Sequence, residues 1–216
     1  MLKNLEIMNN GYLHLKQAIP KSIIPEVRHR LINLKYKYDE QIGQPRHNGS
    51  GKFWGGLELA STLDPNLWKY YTANFMYDIV KPILLTPYLF NDQAVIKLPN
   101  SEFNFKPHHD NQFGPDPEGA LRGDFKTINC SWILTNMNED NGCLFIDDKP
   151  IIAKAGDIVI IDGNKTHFSG NNYTDGVRVL YACCYSSKPI GNFQKGFYNE
   201  EFKRNTSNIT GDLGSY

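Results

Sequence analysis

Hydrophobic and polar positions follow two different periods along the chain. Between about residues 20 and 87, apolar residues recur at helical intervals, as at Val27, Leu31 and Leu34, which predicts amphipathic helices with one buried stripe. From about residue 88 onwards, short apolar runs alternate with turns rich in Gly, Asn and Asp, which predicts strands. The expected helices cover 23–38 and 67–85, and the expected strands cover 11–19, 94–98, 129–135, 142–146, 157–161 and 177–185.

Local signals refine these boundaries. Asp64 is expected to cap the second helix, with Pro65 at its first position, and Pro82 is expected to end or kink it. The Gly- and Asn-rich segment 44–56 is expected to be a loop.

Leading helices followed by strands predict a mainly β (α+β) fold, in which a β sandwich or barrel carries a helical flank. A length of 216 residues is within reach of one large β domain. We therefore expect a single domain over 1–216, with a helical flank at about 20–87, a β core at about 88–185 and a polar tail at 186–216.

Charge, hydropathy and cysteine content argue against several kinds of partner and site. Lys and Arg together number 23, as do Asp and Glu, so the chain has no excess positive charge and we expect no nucleic-acid partner. No run of 18 apolar residues and no signal-type start occurs, so we expect no membrane association and a cytoplasmic location. The four cysteines lack zinc-site spacing and are expected to be buried, reduced thiols.

The segment from Phe105 to Asp110 contains the first candidate ligands. In a strand, residues two apart share a face, with Cα atoms roughly 6–7 Å apart, so His108 and Asp110 are expected to point at one ion. His109 is expected to point the other way. A His-x-Asp pair alone is a weak signal, because it occurs by chance in many chains.

A third candidate ligand, His167, follows 57 residues after Asp110, behind a Gly-Asp turn, an apolar strand and a second turn. Two histidines and one carboxylate form the facial triad of non-haem Fe(II) oxygenases. Such a triad leaves three positions of an octahedron open, enough for a bidentate keto-acid and O₂.

Arg178 lies eleven residues beyond His167, where it is expected to face the same cavity from a neighbouring strand. Its planar guanidinium suits a carboxylate, and a buried Arg without an anionic partner is costly. Ser169 shares a strand face with His167 and is expected to donate a hydrogen bond to that carboxylate.

The His108-x-Asp110, His167-x-Ser169 and Arg178 pattern resembles the phytanoyl-CoA dioxygenase family of Fe(II)- and 2-oxoglutarate-dependent oxygenases. Trp132, the Asn141-Gly142-Cys143-Leu144 turn and the 156–171 segment are also similar, so that the resemblance covers about residues 94 to 185. It implies a double-stranded β-helix, a cupin-like jelly roll, with flanking N-terminal helices.

The resemblance also implies roles for individual residues. His108, Asp110 and His167 would be the catalytic metal ligands for Fe(II), and Arg178 and Ser169 would bind the far carboxylate of the co-substrate 2-oxoglutarate. Trp132 would line the co-substrate pocket, and Lys97 would add a polar contact.

We expect hydroxylation of an aliphatic C–H bond of a small-molecule substrate, with O₂ consumed and succinate and CO₂ released. Asp110 disfavours halogenation, because related halogenating enzymes have Gly or Ala at that position. The segment after Ile146 lacks a Pro-Gly-Ser-His insertion common in the family, and the chain is short for the family. Acyl-CoA is therefore not assumed as the substrate, and the pattern does not define an oligomeric state.

Two other classes of protein share such a fold. One is a cupin-type metalloenzyme that does not use 2-oxoglutarate, which would have no role for Arg178. The other is a non-catalytic binding module, against which the intact triad argues.

Overall fold

The computed structural model describes residues 9–42, 56–58, 60–102, 104–113 and 116–190. Two antiparallel sheets face each other in this part of the chain, one in the order β1-β8-β5-β10-β3-β2 and the other in the order β4-β9-β6-β7. The strands are β1 (Tyr12–Leu15), β2 (Gly56–Glu58), β3 (Tyr88–Lys97), β4 (Phe105–His108), β5 (Thr127–Ile133), β6 (Leu144–Ile146), β7 (Lys149–Ile151), β8 (Ile158–Asp162), β9 (His167–Ser169) and β10 (Arg178–Ser186). The α-helices are α1 (Ile24–Ile42), α2 (Ala60–Leu63), α3 (Trp68–Tyr71), α4 (Asn74–Leu84) and α5 (Pro117–Arg122).

The larger sheet is buried on both faces. Its outer face packs against the helices in an apolar layer that includes Val27 of α1 and Trp132 of β5. Its inner face packs against the smaller sheet through a second layer that includes Ile133, Leu144 and Leu180. Burial on both faces explains why β8 and β10 are mostly apolar along their length. The predicted mainly β, jelly-roll class with helices before the strands is confirmed.

The helical flank differs from the sequence prediction in three details, all between Asp64 and Leu85. Asp64 does act as a cap, accepting a hydrogen bond from the Asn66 backbone N–H, but the element it begins is a short 3₁₀ helix, Pro65–Leu67. The single helix expected at 67–85 is divided into α3 and α4, because Ala73 adopts an extended conformation. Pro82 does not end α4, which continues to Leu84 and stops where Leu85 takes a positive φ of 61°.

The strands expected at 11–19, 94–98, 129–135, 142–146, 157–161 and 177–185 begin within two residues of observed strands, except that β3 starts at Tyr88 rather than at 94. The short strands β2 and β7 were not predicted. Residues 44–55 of the expected loop and most of the tail expected at 186–216 lie outside the described residues, and Gly56 begins β2. Among the helices that the structure describes, none is long and apolar enough to cross a membrane.

Candidate metal centre

Two histidines and one aspartate meet at one end of the smaller sheet. β4 and β9 pair so that His108 lies opposite His167, and their ring centroids are 4.4 Å apart. Nε2 of His108 is 3.6 Å from Oδ1 of Asp110, and Nε2 of His167 is 3.5 Å from the same oxygen. The potential ligand atoms of the three residues all lie within 4.8 Å of one another. The structure therefore brings together the three residues that the sequence pattern selected.

Asp110 reaches this position by a route that the strand argument did not foresee. β4 ends at His108, and Asp110 is the first residue of a 3₁₀ helix, Asp110–Phe113. The next residue, Asn111, anchors that helix, because its backbone N–H donates to the Gly163 carbonyl at 3.0 Å and its Oδ1 accepts from Thr127 Oγ1 at 2.5 Å. The expectation that Asp110 shares a strand face with His108 is thus wrong, although the two side chains do converge.

The hydrogen bonds of the two histidines define which nitrogen atoms are free. Nδ1 of His108 lies 2.7 Å from the Lys106 carbonyl, and Nδ1 of His167 lies 3.1 Å from the Lys165 carbonyl. A carbonyl can only accept, so each Nδ1 carries a proton, and Nε2 is the atom of each ring that can bind a metal ion. Burial lowers the pKa of His108, which favours its neutral form.

Three possible ligand atoms, namely Nε2 of each histidine and Oδ1 of Asp110, therefore face the same small space. Such a set is repulsive by itself and is matched by a divalent transition-metal ion. Backbone carbonyls that accept from the opposite ring nitrogen are also the usual means by which proteins orient histidine ligands. The donor set and its surroundings fit a metal ion.

Arg178 and Ser169 lie deeper in the same cleft. Arg178 is 1% exposed, and its Nη2 donates to the Gly142 carbonyl at 2.8 Å. Its Nε and Nη1, and the Oγ of Ser169, are buried and have no hydrogen-bond partner among the described residues. Burial lowers the pKa of Arg178 to about 10, so the side chain remains cationic at neutral pH. Unsatisfied donors around a buried cation fit a bound carboxylate.

Lys97 lies beside Arg178 at this inner end. The two residues are direct neighbours across β3 and β10, and the Lys97 side chain is fully buried. Lys97 Nζ donates to the Gly170 carbonyl. Burial, followed by the nearby Arg178 charge, lowers the pKa of Lys97 to about 6.

Trp132 lies outside the cleft, contrary to the expectation that it lines the co-substrate pocket. It is fully buried, but it belongs to the apolar layer under the helices. Its ring packs there against the rings of Phe75 and Tyr181, with centroid distances of 5.2 Å and 5.9 Å. Successive strand residues point to opposite faces, and the cleft-facing residues of β5 are Ser131 and Asn129, one and three residues before Trp132. Trp132 therefore does not line the co-substrate pocket.

Asn129 and Ser131 are site residues that the sequence interpretation missed. Asn129 Nδ2 donates to Oδ2 of Asp110 at 2.9 Å, and Ser131 Oγ donates to Oδ1 of Asn129 at 3.0 Å. The signal that could have found them is the pair of polar residues at alternate positions in an otherwise apolar strand. Such residues are expected only where the sheet faces a polar site.

The cleft also extends outwards from the triad. This outer part has a volume of about 440 Å³ and shares His108, Asp110 and Asn129 with the inner part. Aromatic and amide side chains line it, including Phe90, Phe113 and Asn91. On β10, Arg178 at the inner part and Cys184 at the outer part are six residues apart, or roughly 20 Å. The cleft therefore runs along β10 from Arg178, past the triad, to Cys184.

Fold and site together define a class: double-stranded β-helix proteins with a two-histidine, one-carboxylate site between their sheets. The sequence profile of one such family, described as phytanoyl-CoA dioxygenase (PhyH), matches residues 7–146. The chain belongs to this family. No curated protein sequence matches it significantly.

Several solved structures are similar to the chain at low sequence identity. EctD from S. alaskensis, crystallised with 2-oxoglutarate and 5-hydroxyectoine, is 14% identical, with a TM-score of 0.72 over 85% of this chain and 74% of EctD. The epimerase SnoN, in complex with Fe³⁺, alpha ketoglutarate and nogalamycin RO, is 15% identical, with a TM-score of 0.66 over 85% and 82%. The carbocyclase SnoK from nogalamycin biosynthesis is 15% identical, with a TM-score of 0.68 over 86% and 83%. These similarities independently support the fold.

Proposed function

We propose that the protein is an Fe(II)- and 2-oxoglutarate-dependent dioxygenase that hydroxylates an aliphatic C–H bond of a small molecule. The observation that carries the proposal is the buried Arg178, whose unpartnered Nε and Nη1 lie in the same cleft as the triad. A two-histidine, one-carboxylate site alone would fit several metal enzymes. A buried cation with free donors next to that site specifically fits a dicarboxylate co-substrate.

Each residue has a separate task in this proposal. His108, Asp110 and His167 hold Fe(II), while Arg178 and Ser169 bind the distal carboxylate of 2-oxoglutarate. When bound, the iron and 2-oxoglutarate together reduce O₂, so that one oxygen atom enters succinate and the other enters the substrate, with release of CO₂. The apolar walls Val95, Leu144 and Leu180 exclude water from the inner cleft.

Hydroxylation is the proposed outcome because Asp110 occupies the position that halogenating relatives leave to Gly or Ala. The fold itself supports other outcomes, since an epimerase and a carbocyclase are among its similar structures. The substrate is proposed to be a small molecule because the outer cleft of about 440 Å³ falls within the range of ordinary ligand pockets. EctD was crystallised with 5-hydroxyectoine and SnoN with nogalamycin RO.

The test is an anaerobic titration with Fe(II) and then 2-oxoglutarate, followed by the visible metal-to-ligand charge-transfer absorption of a chelated keto-acid. We expect the band in the wild-type protein. In Arg178→Ala we expect an affinity for 2-oxoglutarate at least about tenfold weaker, because charged hydrogen bonds are lost. Arg122→Ala is the matched control, since Arg122 is on α5 and pairs with Asp124 at the surface.

Other results would support a different class of protein. If the protein binds metal but shows no absorption band with 2-oxoglutarate, and if Arg178→Ala binds metal as the wild type does, a cupin-type metalloenzyme that does not use 2-oxoglutarate would be favoured. Absence of metal binding would favour a non-catalytic binding module. Once a substrate is found, isotopically labelled O₂ tests the reaction, because hydroxylation adds a labelled oxygen whereas desaturation or ring closure removes two hydrogens.

A further inference from the structure

Asn129 and Ser131 lie on an interior strand of the larger sheet, in the wall of the cleft. Both lie on β5, which is hydrogen-bonded on one side to β8 and on the other to β10. Asn129 pairs with Ile161 and with Cys184, so its backbone is held from both directions. A side chain that starts from such a strand is placed more reproducibly than one on a loop.

The hydrogen bonds from these residues can run in one direction only. A carboxylate only accepts, so the group of Asn129 that lies 2.9 Å from Asp110 Oδ2 must be its NH₂. The amide oxygen then faces Ser131 Oγ at 3.0 Å, and the hydroxyl of Ser131 must be the donor. This Ser131-to-Asn129-to-Asp110 relay therefore has a fixed amide orientation, although Asn side chains are often ambiguous.

The relay makes the two carboxylate oxygens of Asp110 different. Oδ1 faces Nε2 of both His108 and His167, at 3.6 and 3.5 Å. Oδ2 is occupied by the Asn129 amide. We propose that Asn129 and Ser131 are positioning residues that make Asp110 a one-oxygen ligand by withholding Oδ2 from the metal. This inference rests on the proposed function.

Keeping Oδ2 of Asp110 away from the metal leaves a coordination position open for other ligands. Two histidines and one oxygen take three of six octahedral positions. A second oxygen from Asp110 would take one of the three positions that a keto-acid and O₂ need. The relay thus acts on co-substrate binding without touching the co-substrate.

Co(II) is the probe for the test, because its visible absorption reports the number and kind of ligand atoms. Asn129→Leu keeps the size of the side chain but has no donor for Oδ2. We expect this variant to bind Co(II) with an altered visible spectrum and to bind 2-oxoglutarate at least about tenfold more weakly than the wild type does. Ser131→Ala should change both quantities in the same direction and by less, since it acts through Asn129.

Two further variants separate positioning from general damage. Ser131→Thr retains the hydroxyl and should restore the wild-type spectrum and 2-oxoglutarate affinity. Ser186→Ala removes another buried serine hydroxyl from the same sheet, one that donates to the Lys188 carbonyl at 2.6 Å, and should change neither. Melting temperatures of the metal-free variants show which of them remain folded.

The relay and the proposed function fail in different ways. If wild-type protein binds neither Co(II) nor Fe(II), the proposed function is wrong. If wild-type protein binds metal and 2-oxoglutarate but Asn129→Leu and Ser131→Ala behave like it, the positioning role is overturned. If Asn129→Leu does not fold, the comparison of Ser131→Ala with Ser131→Thr decides, because equal behaviour of those two also overturns the role.

Discussion

Arg178 lies directly opposite Lys97 on the neighbouring strand, and both side chains are buried at the inner end of the cleft. Burial lowers the pKa of both side chains, with different consequences for their charge. Arg178, with a pKa of about 10, keeps its charge at neutral pH, whereas Lys97, with a pKa of about 6, loses it. The pair therefore presents one cation to the cleft when no anion is bound.

Lys97 should make the stability of the metal-free protein depend on pH. In the unfolded chain Lys97 keeps its proton up to a pKa of about 10.4, whereas in the folded protein it loses it near 6, so the unfolded state binds more protons between those values. The free energy of unfolding should therefore rise with pH in this window, by about 1.4 kcal/mol per pH unit from this residue. Denaturant unfolding of wild type and Lys97→Met between pH 6.5 and 8.5 measures the difference, and parallel curves would contradict it.

Gly142 should be essential for holding Arg178. Gly142 has a φ of +75°, and a Cβ there would lie 2.5 Å from the Gly170 carbonyl oxygen, while the Gly142 carbonyl itself accepts from Arg178. Gly142→Ala should destabilise the protein and weaken 2-oxoglutarate binding. The control is Gly123→Ala, where φ is +81° but nothing lies within 4 Å of the added atom.

The comparison of these two glycine variants isolates the clash from the backbone strain. Both variants should lose roughly 1–2 kcal/mol of unfolding free energy, because alanine is strained at a positive φ. Gly142→Ala should lose about 1–3 kcal/mol more through overpacking, and it alone should lower 2-oxoglutarate affinity. Equal effects of the two substitutions on affinity would show that Gly142 has no particular part in placing Arg178.

Trp132 should matter for stability and not for the metal site. Its ring packs under the helices, away from the cleft, so Trp132→Phe should cost about 1–3 kcal/mol of unfolding free energy. Binding of Co(II) and 2-oxoglutarate by the folded variant should stay within about twofold of wild type, since no cleft contact is lost. If the variant binds Co(II) normally but binds 2-oxoglutarate more weakly, Trp132 would be shown to contact the co-substrate after all.

The adjacent histidines should differ in their effect on metal binding. Nε2 of His108 faces Asp110, whereas His109 lies outside the three-residue cluster. His108→Ala should lose Co(II) binding by at least about tenfold, while His109→Ala should retain it. Isothermal titration with Co(II) distinguishes the two, and equal losses would mean that the segment tolerates neither substitution for structural reasons.

The sequence predicted the triad because its signals are local or chemical. His108, Asp110 and His167 were selected as residue types that one metal ion requires, and that requirement holds whatever backbone carries them. Asp110 does not share a strand face with His108, because the chain turns into a 3₁₀ helix at Asp110, and Asn111 holds that helix through contacts with Gly163 and Thr127. Those contacts are long-range and leave no periodic trace.

The error at Trp132 and the omission of Asn129 have a common cause. β5 alternates polar residues, including Asn129 and Ser131, with apolar residues, including Trp132. The alternation separates the two faces of the strand, but it does not say which face the helices cover and which face lines the cleft. The helix break at Ala73 was missed for a similar reason, since the apolar spacing continues across it. Packing between distant elements decided each of these details.

The smaller sheet gives the metal centre a role beyond chemistry. Its strands are three or four residues long, and the pairing of β4 with β9 is irregular between Phe105 and His108. An ion held by His108, Asp110 and His167 would fasten these short elements together, and binding to the folded form alone raises its stability. Iron supply would then govern how long the protein survives proteolysis, so that its cellular lifetime follows the availability of its own metal.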